Sequence, residues 1–172
     1  SAHESFAWGI NNQGQVVGQT DTDGDYLGFI YSPNPSGSST QLLGTLGGYY
    51  SIASDINDSG YVTGNSTLLD NQFPRGFLWV PSSSGGSMQN LGTLPGEDAY
   101  QIEATGINNL GQIVGCSLES SSAFAQAYIW NPSGSGGSMQ KLDGLVDGKT
   151  SGAKAINDNG QVVGWSYNPE FD

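Results

Sequence analysis

A nine-residue phrase recurs four times along this chain and constrains its fold more than any other feature. The first copy runs from Ile10 to Gly18 and reads Ile-Asn-Asn-Gln-Gly-Gln-Val-Val-Gly, and related copies begin at Ile56, Ile107 and Ile156. The closing glycines of the copies are about 50 residues apart, a spacing typical of one four-stranded β-sheet per repeat. The chain is therefore predicted to form an array of similar sheets.

The phrase divides the chain into units of about 5–50, 51–100 and 101–150 and a partial unit, 151–172. Within each phrase, the Asn-x-x-Gly step predicts a hairpin turn between the first two strands, because asparagine bonds its own backbone and glycine accepts a positive φ. The second strand is expected to end at the closing glycine. No window has a sustained helical period, so we expect almost no helix.

The third and fourth strands are predicted from apolar runs and their breakers. The third strand is expected to stop before a proline, which cannot donate to a strand ladder; these prolines are Pro33, Pro81 and Pro132. Ser/Gly-rich loops are expected next. The fourth strand is then expected to contain the Leu-Gly-Thr-Leu sequences at 43–46 and 91–94 and the related sequence at 142–145.

The third strand also indicates the architecture. The run from Phe77 to Val80 is apolar at consecutive positions, so both faces of its sheet need cover. Radially stacked blades supply that cover, which predicts an all-β, β-propeller-like array of four-stranded antiparallel repeats, three full and one half unit. Trp79 and Trp130 share a repeat position with Tyr31 and are expected to be buried.

Composition excludes some classes of partner. Sixteen acidic residues against four basic ones give a net charge of −12, which repels nucleic acid and anionic membrane surfaces. No stretch approaches the roughly 18 apolar residues of a membrane span, so no membrane insertion is expected. The 27 glycines and few lysines favour an extracellular location. Cys116, the single cysteine, is interpreted as a small strand residue.

Three sequences together resemble a known family. Gly-Ile-Asn-Asn-x-Gly-Gln-Val-Val-Gly, Gly-Phe-Leu-Trp and Leu-Gly-Thr-Leu-Gly-Gly are similar to the HAF-type probable extracellular repeat, over nearly the whole chain. The naming His-Ala-Phe tripeptide is replaced here, for example by Leu27-Gly28-Phe29. The resemblance implies an extracellular repeat protein of bacterial type, with no defined activity.

Two sets of residues are candidate binding sites. Asp21, Asp23 and Asp25 flank Gly24, and carboxylates at alternate positions can wrap calcium or another divalent cation; the alternative is an acidic solvated turn. Exposed aromatic residues beside polar loops favour ligand binding. Such residues are expected in the loops that join one unit to the next, as candidates for glycan stacking: Tyr49, Tyr50 and Tyr100.

A catalytic site is not predicted, because His3 is the single histidine and lies at the terminus, and the adjacent pair Glu97-Asp98 does not make opposed carboxylates. The half unit lacks its third and fourth strands, which leaves a strand open to another chain. Three explanations stay open: a fragment of a longer propeller, a subunit completed by a neighbouring chain, or an array with a frayed end. We therefore expect a non-enzymatic extracellular structural protein that self-associates, as a filament or ring, through its incomplete terminal repeat. The alternative is a secreted β-propeller that binds a glycan or cell-surface ligand and is stabilised by calcium.

Overall fold

The structure, a computed structural model, describes residues 4–69, 71–97, 99–119, 124–134, 136–144 and 150–167, with the backbone alone at 71 and 72. Within these residues the chain is all-β, as predicted, and contains no helix, so no helix there could span a membrane. The strands form antiparallel sheets of four, four, four and two strands. The prediction of an all-β chain built from four-stranded antiparallel sheets is confirmed for the first three sheets.

The strands of each sheet follow one another in chain order. Sheet 1 contains β1 (Ser5–Ile10), β2 (Val16–Thr22), β3 (Asp25–Ser32) and β4 (Ser39–Gly44). Sheet 2 contains β5 (Gly47–Ile56), β6 (Val62–Leu68), β7 (Asn71–Ser82) and β8 (Gly85–Asn90). Sheet 3 contains β9 (Ala99–Ile107), β10 (Ile113–Glu119), β11 (Ala125–Ser133) and β12 (Gly136–Lys141). Sheet 4 contains β13 (Thr150–Ile156) and β14 (Val162–Tyr167).

The predicted Asn-x-x-Gly turn is confirmed between the first two strands of every sheet. In the first turn, the Asn11 side-chain oxygen accepts the backbone N–H of Gln13 at 3.1 Å and that of Gln15 at 2.9 Å. Gly14 has a φ of 74° and donates its N–H to the Asn11 carbonyl at 3.0 Å. Asparagine thus replaces missing backbone partners, and glycine supplies the left-handed turn.

The closing glycine does not end the second strand, contrary to the prediction. Gly115 lies inside β10, where a β-carbon would overlap the carbonyl oxygen of Glu103 on β9. The strand pairing shifts by one residue beside this glycine, which is the mark of a β-bulge. Gly18, Gly64 and Gly164 meet the first strand of their sheets in the same way. The glycine therefore makes room for a bulged neighbour.

Two prolines also lie within strands rather than after them. β7 continues through Pro81, which pairs with Gly86, and β11 continues through Pro132, which pairs with Gly137. The second strand pairs with β7 only as far as Trp79, so Pro81 has a neighbour on one side and its missing N–H costs no ladder bond. In sheet 2 the predicted Ser/Gly loop at 82–86 is thus largely strand, and the fourth strand comes earlier than predicted, with Leu91 to Leu94 following β8. In sheet 1 the prediction holds, since β3 stops before Pro33 and β4 contains Leu43.

The core lies between successive sheets. One apolar cluster joins sheets 1 and 2, a second joins sheets 2 and 3, and a third joins sheets 3 and 4. Trp79 and Trp130 lie in the first two clusters and are 3% and 1% exposed, which confirms their predicted burial. Each middle sheet therefore has two apolar faces, one toward the sheet before it and one toward the sheet after it.

Candidate functional site

Each sheet has two faces that can be followed along the array. We call the face toward the preceding sheet the leading face; in sheet 2 it carries Val62, Phe77 and Trp79. We call the face toward the following sheet the trailing face; in sheet 1 it carries Val17 and Ile30. Equivalent positions follow from the strand pairing, since Val16 pairs with Tyr31 as Val62 pairs with Trp79.

The leading face of sheet 1 is an open apolar surface. Phe29 and Tyr31 are only half-buried there, whereas the equivalent Phe77 of sheet 2 is fully buried. An open cavity of about 310 Å³ lies on this face, beside Phe29 and Tyr31. Its lining residues are Ser5, Val16, Thr20, Phe29, Tyr31 and Thr40. In the interior sheets this side is covered by the trailing face of the preceding sheet.

The trailing face of sheet 4 is open as well. Val163, Trp165 and Tyr167 alternate along β14 and are 64%, 42% and 45% exposed. The equivalents of Val163 in the preceding sheets include Val17 and Val114, and both are fully buried. In the part of the chain that the structure describes, the first and last sheets therefore present two open apolar faces of the kinds that pack together between the inner sheets.

A cleft of about 340 Å³ lies between sheets 3 and 4, beside β14. Ala127 and Leu142 line it from sheet 3, and Val162 and Ser166 line it from sheet 4, with the Trp165 ring at its edge. In sheet 2, the third strand, β7, lies next to β6 and brings Phe77 into the core between sheets. The described part of sheet 4 has no strand in that place, so the cleft adjoins an uncovered strand edge.

The predicted metal residues form a tight hairpin turn. Thr22 pairs with Asp25, which leaves Asp23 and Gly24 as a two-residue loop with φ values of 60° and 114°. The Asp21 side chain accepts the Gly24 N–H at 3.1 Å. No group of three or more His, Cys, Asp or Glu side chains suited to a metal is found among the described residues. Calcium at this turn stays a prediction.

The predicted tyrosines lie in strands rather than in loops between units. Tyr49 and Tyr50 belong to β5, and Tyr100 belongs to β9. Tyr49 is 57% exposed, while burial and the charge of Glu103 raise the pKa of Tyr50. Tyr100 packs edge-on against Phe73, with the ring centres 4.8 Å apart. The three rings therefore occupy different surroundings, and glycan stacking on them stays a prediction.

Sequence reasoning missed a second role of the turn asparagines. Each side-chain amide nitrogen donates a hydrogen bond to the backbone carbonyl of the equivalent asparagine in the next sheet. Asn11 donates to Asn57, Asn57 to Asn108, and Asn108 to Asn157, in each case at 3.0 Å. The turns of all four sheets also line one open cavity of about 280 Å³. The recurrence of asparagine was the available signal, but a turn alone already explained it.

The residue that follows each turn asparagine alternates along the array between an amide and a carboxylate. These residues are Asn12, Asp58, Asn109 and Asp158. Asp58 accepts the Asn12 N–H at 3.0 Å and the Asn12 side-chain amide at 2.8 Å. These hydrogen bonds lower the pKa of Asp58 below its usual range, with a smaller contribution from the Asn109 amide. Asp158 accepts the Asn109 N–H at 2.8 Å. The alternation thus pairs each carboxylate with an amide of a neighbouring sheet.

Two further ionisable groups, Asp55 and Cys116, lie inside the array. Asp55 accepts the N–H of Ile107 in the next sheet at 2.9 Å, and burial raises its pKa despite this bond and a second one from Ile56. Burial, followed by the charge of Glu103, raises the pKa of the Cys116 thiol to about 12. Such a thiol is a poor nucleophile at neutral pH.

The carboxylate of Glu97, considered above as half of a catalytic pair, is bound within the fold. It lies 2.5 Å from the Lys141 ammonium and 3.2 Å from the Ser117 hydroxyl. Asp98 and His3 lie outside the described residues.

No protein-family model matches the chain, and comparison with curated proteins and with solved structures finds no match either. The similarity to the HAF-type repeat therefore stays a prediction. The two end faces and the row of turns are the features from which a function can be argued.

Proposed function

We propose that this chain is a non-enzymatic, extracellular structural protein of HAF-repeat type that self-associates head to tail. The trailing face of sheet 4 in one copy packs on the leading face of sheet 1 in the next. The observation that carries the proposal is the contrast at equivalent positions, where Val114 is fully buried and Val163 is 64% exposed. A second copy offers the same kind of cover that each inner sheet receives from its neighbour.

Apolar burial supplies the driving force for this contact. Val163 and Trp165 face outward from one end, and Phe29 and Tyr31 face outward from the other. Fully burying one such side chain contributes about 1.5–3 kcal/mol, from which association subtracts the lost freedom of two molecules. The contact therefore depends on several of these residues together.

We further propose that the array is propeller-like and that its closed form is a ring of two copies. Turns from all four sheets line one cavity, including Asn12 and Asp158 at the two ends of the series. This convergence favours a common axis over a straight stack. Counting the described sheets, two copies bring eight, of which two have only two strands each; eight is the upper end of the usual range of about four to eight blades. A contact that fails to close would instead extend into a filament.

Sedimentation of the purified chain over a wide range of concentrations tests self-association. The wild type is expected to form a species of twice the monomer mass or a growing series. Val163→Asp is expected to raise the dissociation constant at least about tenfold, which corresponds to 1.4 kcal/mol. Leu69→Asp changes a residue that is 78% exposed and outside both end faces, and serves as the matched control. A wild type that stays monomeric at every concentration contradicts the proposal.

A second candidate is a secreted glycan-binding module stabilised by calcium. Tyr49 favours it, because a ring that is 57% exposed is available for stacking on a sugar. Tyr50 and Tyr100 would contribute to the binding surface, and Asp21, Asp23 and Asp25 would hold the calcium. A glycan array probed with the wild type and Tyr49→Ala tests the first part, and a melting curve with added calcium tests the second. Equal glycan signals and an unchanged melting temperature would remove this candidate.

A further inference from the structure

The row of turn asparagines has a direction. Every step runs from a side-chain amide in one sheet to a backbone carbonyl in the sheet that follows, at 3.0 Å in all three steps. In the described residues the series begins at the Asn11 carbonyl and ends at the Asn157 side chain, which donates to Gln161 within its own turn at 2.8 Å. An amide nitrogen has two hydrogens to donate, so Asn157 has the donor that a further step requires.

The neighbouring row of Asn12, Asp58, Asn109 and Asp158 has an alternating chemistry. Asn109 donates its side-chain amide to Asp58 at 3.2 Å and to Asp158 at 3.0 Å, and its side-chain oxygen accepts the Asp58 N–H at 2.8 Å. An amide side chain between two carboxylates can donate a hydrogen bond to both and accept one from a backbone N–H. A carboxylate in that place would meet two like charges, which destabilise the contact.

Within the described residues the two ends of this row are complementary. The row runs there from an amide, Asn12, to a carboxylate, Asp158, so a second copy placed after sheet 4 presents Asn12 where the alternation calls for an amide. The Asn12 side-chain oxygen is then in the position that Asn109 occupies toward Asp58. If one copy were turned around, two amide ends or two carboxylate ends of the row would meet instead.

We propose that both rows continue from Asn157 and Asp158 of one copy into Asn11 and Asn12 of the next, and thereby determine the direction and register of the head-to-tail contact. This inference rests on the proposed function, because it requires the end faces to meet. The apolar faces supply the affinity, and the polar row selects one arrangement, since apolar packing is non-directional. The partner at this surface is a second copy of the chain.

Asn12→Asp combined with Asp58→Asn tests the register. The double variant keeps the net charge of the wild type and leaves each copy with an Asp-Asn-Asn-Asp row, which has no adjacent carboxylates internally. Only the copy-to-copy contact then brings Asp158 against a carboxylate at position 12. Asp58→Asn alone is the matched control, because it shares the substitution at position 58 and leaves the outer contact intact. Adding Asp158→Asn to the double variant restores an amide beside the carboxylate.

The measurement is the dissociation constant of each variant by sedimentation at low salt, where like-charge repulsion is least screened. The double variant is expected to raise this constant by about tenfold or more relative to Asp58→Asn, and the triple variant to recover most of the loss. Circular dichroism and melting curves check that all three variants fold. A double variant that associates as tightly as Asp58→Asn overturns the register. If the wild type does not associate at all, the proposed function fails instead.

Discussion

The contacts between inner sheets and the two end faces use the same residue types with opposite outcomes. Phe77 is fully buried on the leading face of sheet 2, while Phe29, at the equivalent position of sheet 1, is half-buried. Val114 is fully buried on the trailing face of sheet 3, while Val163 is 64% exposed on sheet 4. Phe77 and Val114 are covered by a neighbouring sheet, whereas Phe29 and Val163 have no neighbouring sheet on their side in the described residues. Val163 also lies in a sheet that has only two strands in this part of the chain. The end faces are thus interior surfaces without cover.

Truncating the phenylalanine of the leading face in sheet 2 is expected to have the largest effect on the free energy of unfolding. Phe77→Ala is expected to lower the free energy of unfolding by about 3–5 kcal/mol, because it opens a cavity between sheets 1 and 2. Phe29→Ala is expected to cost less than half as much, since its ring already contacts solvent. Urea denaturation at a protein concentration below that of association measures both values. Equal losses would show that the end face is as well packed as the interior.

The trailing face gives a smaller effect of the same kind. Val114→Ala is expected to cost about 2 kcal/mol of stability, from two buried carbon atoms and the space they leave. The free energy of unfolding of Val163→Ala is expected to stay within about 0.5 kcal/mol of the wild-type value, as it does for most surface substitutions. Thermal melting compares the two variants. A large loss in Val163→Ala would mean that sheet 4 is covered in the isolated chain.

A substitution in the row of turns is expected to have the smallest effect on the free energy of unfolding, and this effect depends on pH. Hydrogen bonds from Asn12 hold the pKa of Asp58 below its usual range, so the carboxylate stabilises the folded state above the unfolded-state pKa of about 3.9. This contribution is lost as the pH falls through the lower folded-state pKa. The stability difference between wild type and Asp58→Asn is therefore expected to favour the wild type at pH 7 and to shrink toward pH 3. Urea denaturation across this range measures it, and a difference independent of pH contradicts it.

Local rules predicted much of the fold but not its irregularities. The Asn-x-x-Gly turns, the absence of helix in the described residues and the burial of Trp79 and Trp130 follow from hairpin chemistry and apolar patterning. The function of Gly115 was missed, because a bulge on β9 brings the Glu103 carbonyl against it. The position of Pro81 inside β7 was also missed, since one cannot tell from the chain alone where the neighbouring strand stops.

The sequence by itself determined the turns, the strand content and the two apolar faces of each sheet, because these depend on residues close together in the chain. Tertiary structure alone decided which faces are covered, and it joined Asn57 to Asn108 and Asp58 to Asn109 across sheets. These contacts link residues about 50 positions apart, so only the packing of one sheet on the next brings them within hydrogen-bond distance. The recurring phrase thus forms a hairpin within each sheet and a directional row of hydrogen bonds between sheets.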